Sequence, residues 1–183
     1  MNQSLLQELI TTNTETSIEK SAFVDTIIDH IQKAGYTIVE INAQKPWGAY
    51  IRFAAEDADR FVGEFFPDLT PEQARLGIAD AELSPKILIV TPGQRLSWQY
   101  HNRRAERWKF LNDGAYYKSD TDEQGEVQEA ASGMVVQFVK GERHRLVGVD
   151  GHYTLVAEIW QHADAEAPSN EEDIVRVADD YQR

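Results

Sequence analysis

Pro92-Gly-Gln-Arg-Leu-Ser-Trp-Gln99-Tyr-His101-Asn-Arg-Arg-Ala-Glu106-Arg-Trp-Lys-Phe-Leu-Asn-Asp-Gly114 is the stretch on which the fold turns. Gln99 and His101 are two apart, and alternate residues of an extended strand share a face, so both side chains are expected to point the same way. Asn102 to Ala105 offer a short polar turn. If the chain doubles back there, Glu106 opens the partner strand and faces His101 across a hairpin, with Trp108 and Phe110 continuing the same inward side. An amide oxygen, an imidazole and a carboxylate then converge, one ligand short of a site for a divalent ion.

A second stretch, Gly133-Met-Val-Val-Gln-Phe-Val-Lys-Gly141-Glu-Arg-His144-Arg-Leu, supplies another. It reads as an apolar strand, a turn at Gly141, and a histidine at the head of the next strand. Taken singly, Gln99, His101, Glu106 and His144 are ordinary polar strand residues. Their joint spacing in two strand–turn–strand contexts makes them a candidate ligand set for one divalent metal ion. The chain has no cysteine, so any metal must be held by nitrogen and oxygen. Two imidazoles, a carboxylate and an amide suit Zn²⁺, Fe²⁺, Mn²⁺, Co²⁺ or Ni²⁺ better than Ca²⁺.

The two units resemble the paired signature motifs of the cupin superfamily, the first opening at Gly93 and reaching its first ligand position at Gln99. Val139 stands where a proline is usual and Gly148 where an asparagine is usual. Within that superfamily, Lys45-Pro-Trp-Gly-Ala-Tyr50, Pro92 to Ser97, Arg104 to Trp108, His144-Arg-Leu146 and the tail from Glu171 to Tyr181 are similar to the type II mannose-6-phosphate isomerase domain, here without a pyrophosphorylase half. The likeness runs from about Lys45 onward. The family carries a run of histidines where this chain has His101-Asn102-Arg103. The fold so implied is mainly β, a cupin (double-stranded β-helix, jelly-roll) barrel with N-terminal helices. The implied metal is zinc, and the implied reaction is aldose–ketose isomerisation of a sugar phosphate such as mannose 6-phosphate through an enediol(ate).

Composition sets outer limits. At 183 residues the chain fits one domain with a substantial core. A net charge of −13 repels a phosphate backbone, so nucleic acid is not an expected partner. A single sugar phosphate needs only two or three local cations, and Arg95, Arg103, Arg104, Arg143 and Arg145 flank the motifs; most of these read as solvated surface arginines. The N-terminus lacks a basic start followed by an apolar run, and no apolar stretch approaches the ~20 residues that span a bilayer. The expectation is a soluble cytoplasmic protein with no membrane partner, and a homodimer.

In chain order, residues 1–35 read as an N-terminal helical extension, 36–165 as the barrel, and 166–183 as an acidic tail packed back on it. Phe23, Val24, Ile27, Ile28 and Ile31 fall on one helical face, with Gly35 just past the end. His30 reads as a surface histidine. Strands are expected at 36–41, 48–53, 86–90, 135–138 and 152–161, a helical spacing over 57–66, and a short helix opened by Thr70 and Pro71.

Lys86 and Arg145 are candidate catalytic or phosphate-anchoring residues by neighbourhood to the motifs, with Lys109 and His152 as further candidates for the base. His152 is expected outside the ligand set. Trp47 and Trp98 either frame a sugar-binding mouth or belong to the core, the latter being the commoner role for buried aromatics. Two functions follow. One is a metal-dependent sugar-phosphate isomerase; the other is a non-catalytic sugar-binding cupin serving as a sensor or interaction module, which the Asn102-Arg103 departure keeps open.

Overall fold

A computed structural model describes residues 4–183, so the first three positions of the N-terminal reading lie outside the described residues. Two helices open the chain, α1 (Leu5–Thr11) and α2 (Lys20–Lys33). Ser4 caps α1, its Oγ accepting from the Gln7 amide. α2 ends in a paired cap. Gly35, at φ +77°, donates to Gln32, and Tyr36 donates back to Ile31, the two bonds that close a helix whose next residue is left-handed. That cap consumes Tyr36, so β1 starts later than the sequence predicts, at Ile38–Asn42.

β2 (Gly48–Phe53) and β3 (Lys86–Val90) fall where expected. Between them come a 3₁₀ turn (Ala55–Asp57), α3 (Ala58–Phe65) and α4 (Pro71–Ala74). Thr70 and Gln73 form a reciprocal capping box at the head of α4. Gly48 is required by packing: a β-carbon there would lie 1.9 Å from the Ile89 carbonyl oxygen on the neighbouring strand.

The remaining strands are β4 (Trp98–Tyr100), β5 (Arg104–Phe110), β6 (Gly114–Ser119), β7 (Gln128–Ala130), β8 (Val135–Phe138), β9 (Arg143–Val147), β10 (Thr154–His162) and β11 (Val175–Ala178). They form two sheets, ordered β1-β2-β3-β10-β5-β8 and β11-β4-β9-β6-β7. From β3 to β10 the chain changes sheet at every step except β6 to β7. This interleaving is the eight-stranded jelly roll, the double-stranded β-helix of cupin barrels. The fold is therefore mainly β, with helices against one sheet.

The hairpin expected around Asn102-Arg103 does not form, because its two strands lie in different sheets. β4 pairs with β9 and β11, whereas β5 pairs with β10 and β8. The Asn102-Arg103 turn carries the chain from one sheet to the other, and so does the turn between β8 and β9. His101 and Glu106 meet because the sheets face each other, not because two strands share a ladder. β7 and β11 were not foreseen, being short and mostly exposed.

Apolar residues sort into two cores. On the outer face of the first sheet, Ile51, Ile87, Ile89, Leu155 and Ile159 pack against Phe23, Ile27, Ile31, Phe61 and Phe65 of the helices. Burying each such side chain stabilises the fold by about 1.5–3 kcal/mol relative to exposure. Between the sheets, Leu88, Val90, Trp108, Phe110, Phe138 and Leu146 fill one end of the barrel. The other end is polar. Among the described residues, no helix is long and apolar enough to cross a membrane.

Candidate metal centre

Glu106 projects from β5 into the barrel, since Trp108 and Phe110 on the same face are core residues. His144 comes from β9 on the opposite sheet, and His101 follows β4 directly. All three are 1–2% exposed. His101 Nε2 lies 3.0 Å from Glu106 Oε1, and His144 Nε2 lies 3.3 Å from Glu106 Oε2. One ligating atom from each residue falls within 4.8 Å of the other two.

The outer ring nitrogens decide what the inner ones offer. His101 Nδ1 lies 2.6 Å from the Asp173 carbonyl oxygen, and His144 Nδ1 lies 3.0 Å from that of Glu142. A carbonyl only accepts, so each Nδ1 carries a proton and donates. Burial pushes the His144 imidazole below its ordinary value, which leaves it neutral with a lone pair on Nε2. Burial opposes the charge of Glu106, yet His101 and Arg104 outweigh it and hold the carboxyl well below the usual carboxylate range. Two acceptors, His144 Nε2 and Glu106 Oε2, thus face each other buried and without a hydrogen-bond partner. Such a pair calls for a cation between them. The residues therefore fit a divalent metal ion of the nitrogen- and oxygen-loving class, and His101, Glu106 and His144 are the groups able to hold it.

Gln99 stands differently from these three. Its backbone is in register with His144 across β4 and β9, and its side chain is buried at the edge of the same cavity. Its amide oxygen accepts from Ser97 Oγ.

Arg104 is part of the site. Read from sequence as a turn residue, it is 5% exposed and sends both Nε and Nη2 to Glu106 Oε1, each at 2.9 Å. Its guanidinium also lies over the Trp160 ring at 3.8 Å, and Nη1 donates to Ser169 Oγ and the Asn170 carbonyl. Arg104 thus takes one oxygen of Glu106 and leaves Oε2 free toward His144.

The tail closes the back of the centre. Asp173 accepts from the Asn102 and Arg103 amides at 2.9 and 3.0 Å and from Ser169 Oγ at 2.7 Å, fixing the crossover loop beside His101. The tail adds β11 to the second sheet and buttresses His101 through the Asp173 carbonyl.

Beside Glu106 opens a cavity of about 360 Å³ that includes Trp47, Lys86, Gln99, Glu106 and Glu158 in its lining. This is large enough for a small polar ligand. Glu158 is a lining residue outside the candidate set drawn from the motifs. It sits in the middle of β10, 6% exposed, with Oε2 accepting from Trp108 Nε1 at 2.9 Å. Burial, and after it the charge of Glu106, pushes its carboxyl up to about 7. A lone carboxylate within Thr-Leu-Val-Ala-Glu-Ile-Trp was the available signal.

Lys86 lines the cavity and is nearly fully buried. Its Nζ lies 3.7 Å from Glu158 and 3.4 Å from Glu171, and 3.8 Å above the Trp160 ring. Arg145 is placed elsewhere: it is buried, does not line the cavity, and binds the Leu96 carbonyl, Gln124 and Asp180. Its work is to pin the tail. His152 lies away from the centre, its Nδ1 near Asn112 and the Tyr153 carbonyl. His30 is held on the helical side by Glu8, 3.2 Å from its Nδ1. Trp47 lines the cavity, whereas Trp98 is core and donates to the Asp122 carbonyl.

No protein-family model matches the chain, and no curated protein matches it. Among solved structures it is similar to a Bacillus halodurans protein at 11% identity, over 45% of this chain and 64% of that one, with a TM-score of 0.41. It is similar to the capsular polysaccharide assembling protein CapF of Staphylococcus aureus at 13% identity, over 85% and 37%, with a TM-score of 0.49. It is similar also to a Cupin 2 conserved barrel domain protein of Salinispora arenicola at 22% identity, over 43% and 62%, with a TM-score of 0.36. In each case the alignment spans less than two thirds of the other chain. All three scores lie below 0.5, and it is the strand order of this chain that places its fold with the cupin double-stranded β-helices.

Proposed function

We propose that this protein is a metal-dependent aldose–ketose isomerase acting on a sugar phosphate such as mannose 6-phosphate. The observation that carries the reading is a cavity lined by Glu106, the carboxylate of the His–Glu–His ligand set, and by a second, near-neutral carboxyl, Glu158. When bound, a divalent ion supplies Lewis-acid polarisation of the sugar's carbonyl and hydroxyl oxygens. Glu158, poised to exchange a proton near pH 7, takes one from the carbon bearing the hydroxyl and returns it to the neighbouring carbonyl carbon. The hydroxyl proton passes to the carbonyl oxygen, so no atom is gained or lost.

Around this transfer, other side chains position. The Trp108 indole N–H holds one oxygen of Glu158, and the Lys86 ammonium favours the ionised form. Arg104 fixes the rotamer of Glu106. The apolar end of the barrel keeps bulk water from one side of the cavity.

One observation favours a second reading, a non-catalytic sugar-binding module. Arg104 already neutralises Glu106, so the centre is charge-balanced without an ion. Protein stripped by chelator and resupplied with Zn²⁺, Fe²⁺, Mn²⁺, Co²⁺ or Ni²⁺ separates the two when assayed against a panel of hexose 6-phosphates. The isomerase reading expects ketose product that disappears with chelator and returns with metal. Sugar binding without product under every metal overturns it and leaves the binding module.

A further inference from the structure

Five cations line the cavity, in a chain whose net charge is −13: Lys45, Lys86, Arg104, Arg176 and Arg183. Three are engaged by acids. Lys86 faces Glu158 and Glu171, Arg104 is bonded to Glu106, and Arg183 is bonded to Asp179. Lys45 and Arg176 have no acidic partner among the described residues; Lys45 Nζ lies only near the Tyr50 ring, 5.6 Å from its centroid.

Strand register fixes where Arg176 stands. On the second sheet, Arg176 of β11 is opposite Gln99 of β4, and Gln99 is opposite His144 of β9. Directly opposed residues share a face, so the three form a row running from the ligand set outward. Two strand spacings separate Arg176 from His144, about 10 Å. An open-chain hexose 6-phosphate reaches roughly 9 Å from its first carbon to phosphorus, over seven single bonds of about 1.5 Å in zigzag.

Lys45 reaches the same cavity from the loop between β1 and β2. That loop is held in place: the Lys45 carbonyl accepts from Gly48 N at 3.1 Å and from Lys20 Nζ at 3.0 Å.

From this arrangement we infer that Lys45 and Arg176 form an anion subsite at the cavity mouth, which takes the phosphate monoester of the substrate while its other end lies over His101, Glu106 and His144. The assignment rests on the isomerase reading for the identity of the sugar, and replaces Lys86 and Arg145 as phosphate anchors. Guanidinium and ammonium groups left unpaired in an acidic protein are the donors a phosphoryl dianion requires. The row also sets the direction of binding, with the reacting carbons inward and the phosphate outward.

Calorimetric titration with inorganic phosphate tests the subsite without turnover. Wild-type protein is expected to bind phosphate at one site. Arg176→Ala and Lys45→Ala, both at exposed or half-exposed positions, are each expected to weaken that binding roughly ten- to a hundredfold with unchanged circular dichroism and metal stoichiometry. In the isomerase assay the same variants raise KM for the phosphorylated sugar by a similar factor and leave that for the free sugar unchanged. Wild-type protein that ignores phosphate, or variants that bind it as wild type does, overturn the subsite. Phosphate binding lost in the variants of a protein that turns over no sugar keeps the subsite and discards the isomerase.

Discussion

Every residue of β10 is buried, yet its two faces meet opposite demands. Leu155, Ala157 and Ile159 look outward to the helices and join an apolar layer with Phe23, Ile27 and Phe61. Val156, Glu158 and Trp160 look inward, and from one to the next the surroundings pass from Phe110 to the charged lattice of Lys86, Arg104 and Glu106. The outer face is sealed by non-directional packing. On the inner face each buried charge needs its own partner, and groups left without one mark where something else binds. A strand that is uniformly buried is not uniformly structural.

The sharpest way to break this contrast is to damage one face and watch the other. Phe61 is fully buried among Phe53, Phe65 and Tyr36. Phe61→Ala is expected to cost about 3–5 kcal/mol in denaturant unfolding. Metal stoichiometry at 25 °C stays at the wild-type value as long as the protein is folded. A metal site lost with only modest destabilisation would show that the two faces are not independent.

On the inner face, Glu158→Gln keeps the shape and removes the group proposed to carry the proton. Turnover is expected to fall by about 10²–10⁴-fold with KM little changed. The wild-type rate should rise with pH through about 7 as Glu158 ionises, and that limb should vanish in the variant. Stability of the metal-free protein runs the other way. Because the folded-state value of Glu158 is raised above its unfolded one, stability falls as pH climbs from the ordinary carboxylate range to about 7. Thermal melts from pH 5 to 8 should show that loss in wild type and less of it in the variant.

A smaller effect probes the tail. Asp173→Ala leaves the carbonyl that accepts from His101 but removes the acceptor for two loop amides and Ser169. Metal affinity is expected to drop about 10–100-fold, measured by competition with a chromophoric chelator. Unchanged affinity would mean that the loop holds His101 without help.

Much of this was legible in the sequence because the signals were local. Gly35 past an amphipathic helix, Thr70-Pro71 at a helix start, and the apolar run from Lys86 to Val90 each declare themselves within a few residues. The ligand trio His101, Glu106 and His144 was legible as spacing, although the picture of a hairpin was wrong: adjacency in sequence does not tell whether a turn stays in one sheet or crosses to the next. Glu158 and Asp173 were not seen as site residues, and Arg104 only as one of five arginines flanking the motifs. Their burial depends on which strands lie opposite, as Trp108 lies opposite Glu158 and the tail lies against the 101–104 crossover. Arg145 sat next to a ligand in sequence and was drawn instead to Asp180, showing that sequence neighbourhood is a poor guide to side-chain direction.

The most direct measurement is zinc binding by chelator competition in wild-type protein beside His144→Ala, with circular dichroism confirming that both are folded. One ion per chain in wild type, and an affinity reduced by at least a hundredfold in the variant, is the result expected if His144 Nε2 and Glu106 Oε2 are opposed lone pairs awaiting a cation. Equal affinity in the two proteins, or no binding in wild type by zinc, iron, manganese, cobalt or nickel, would contradict it.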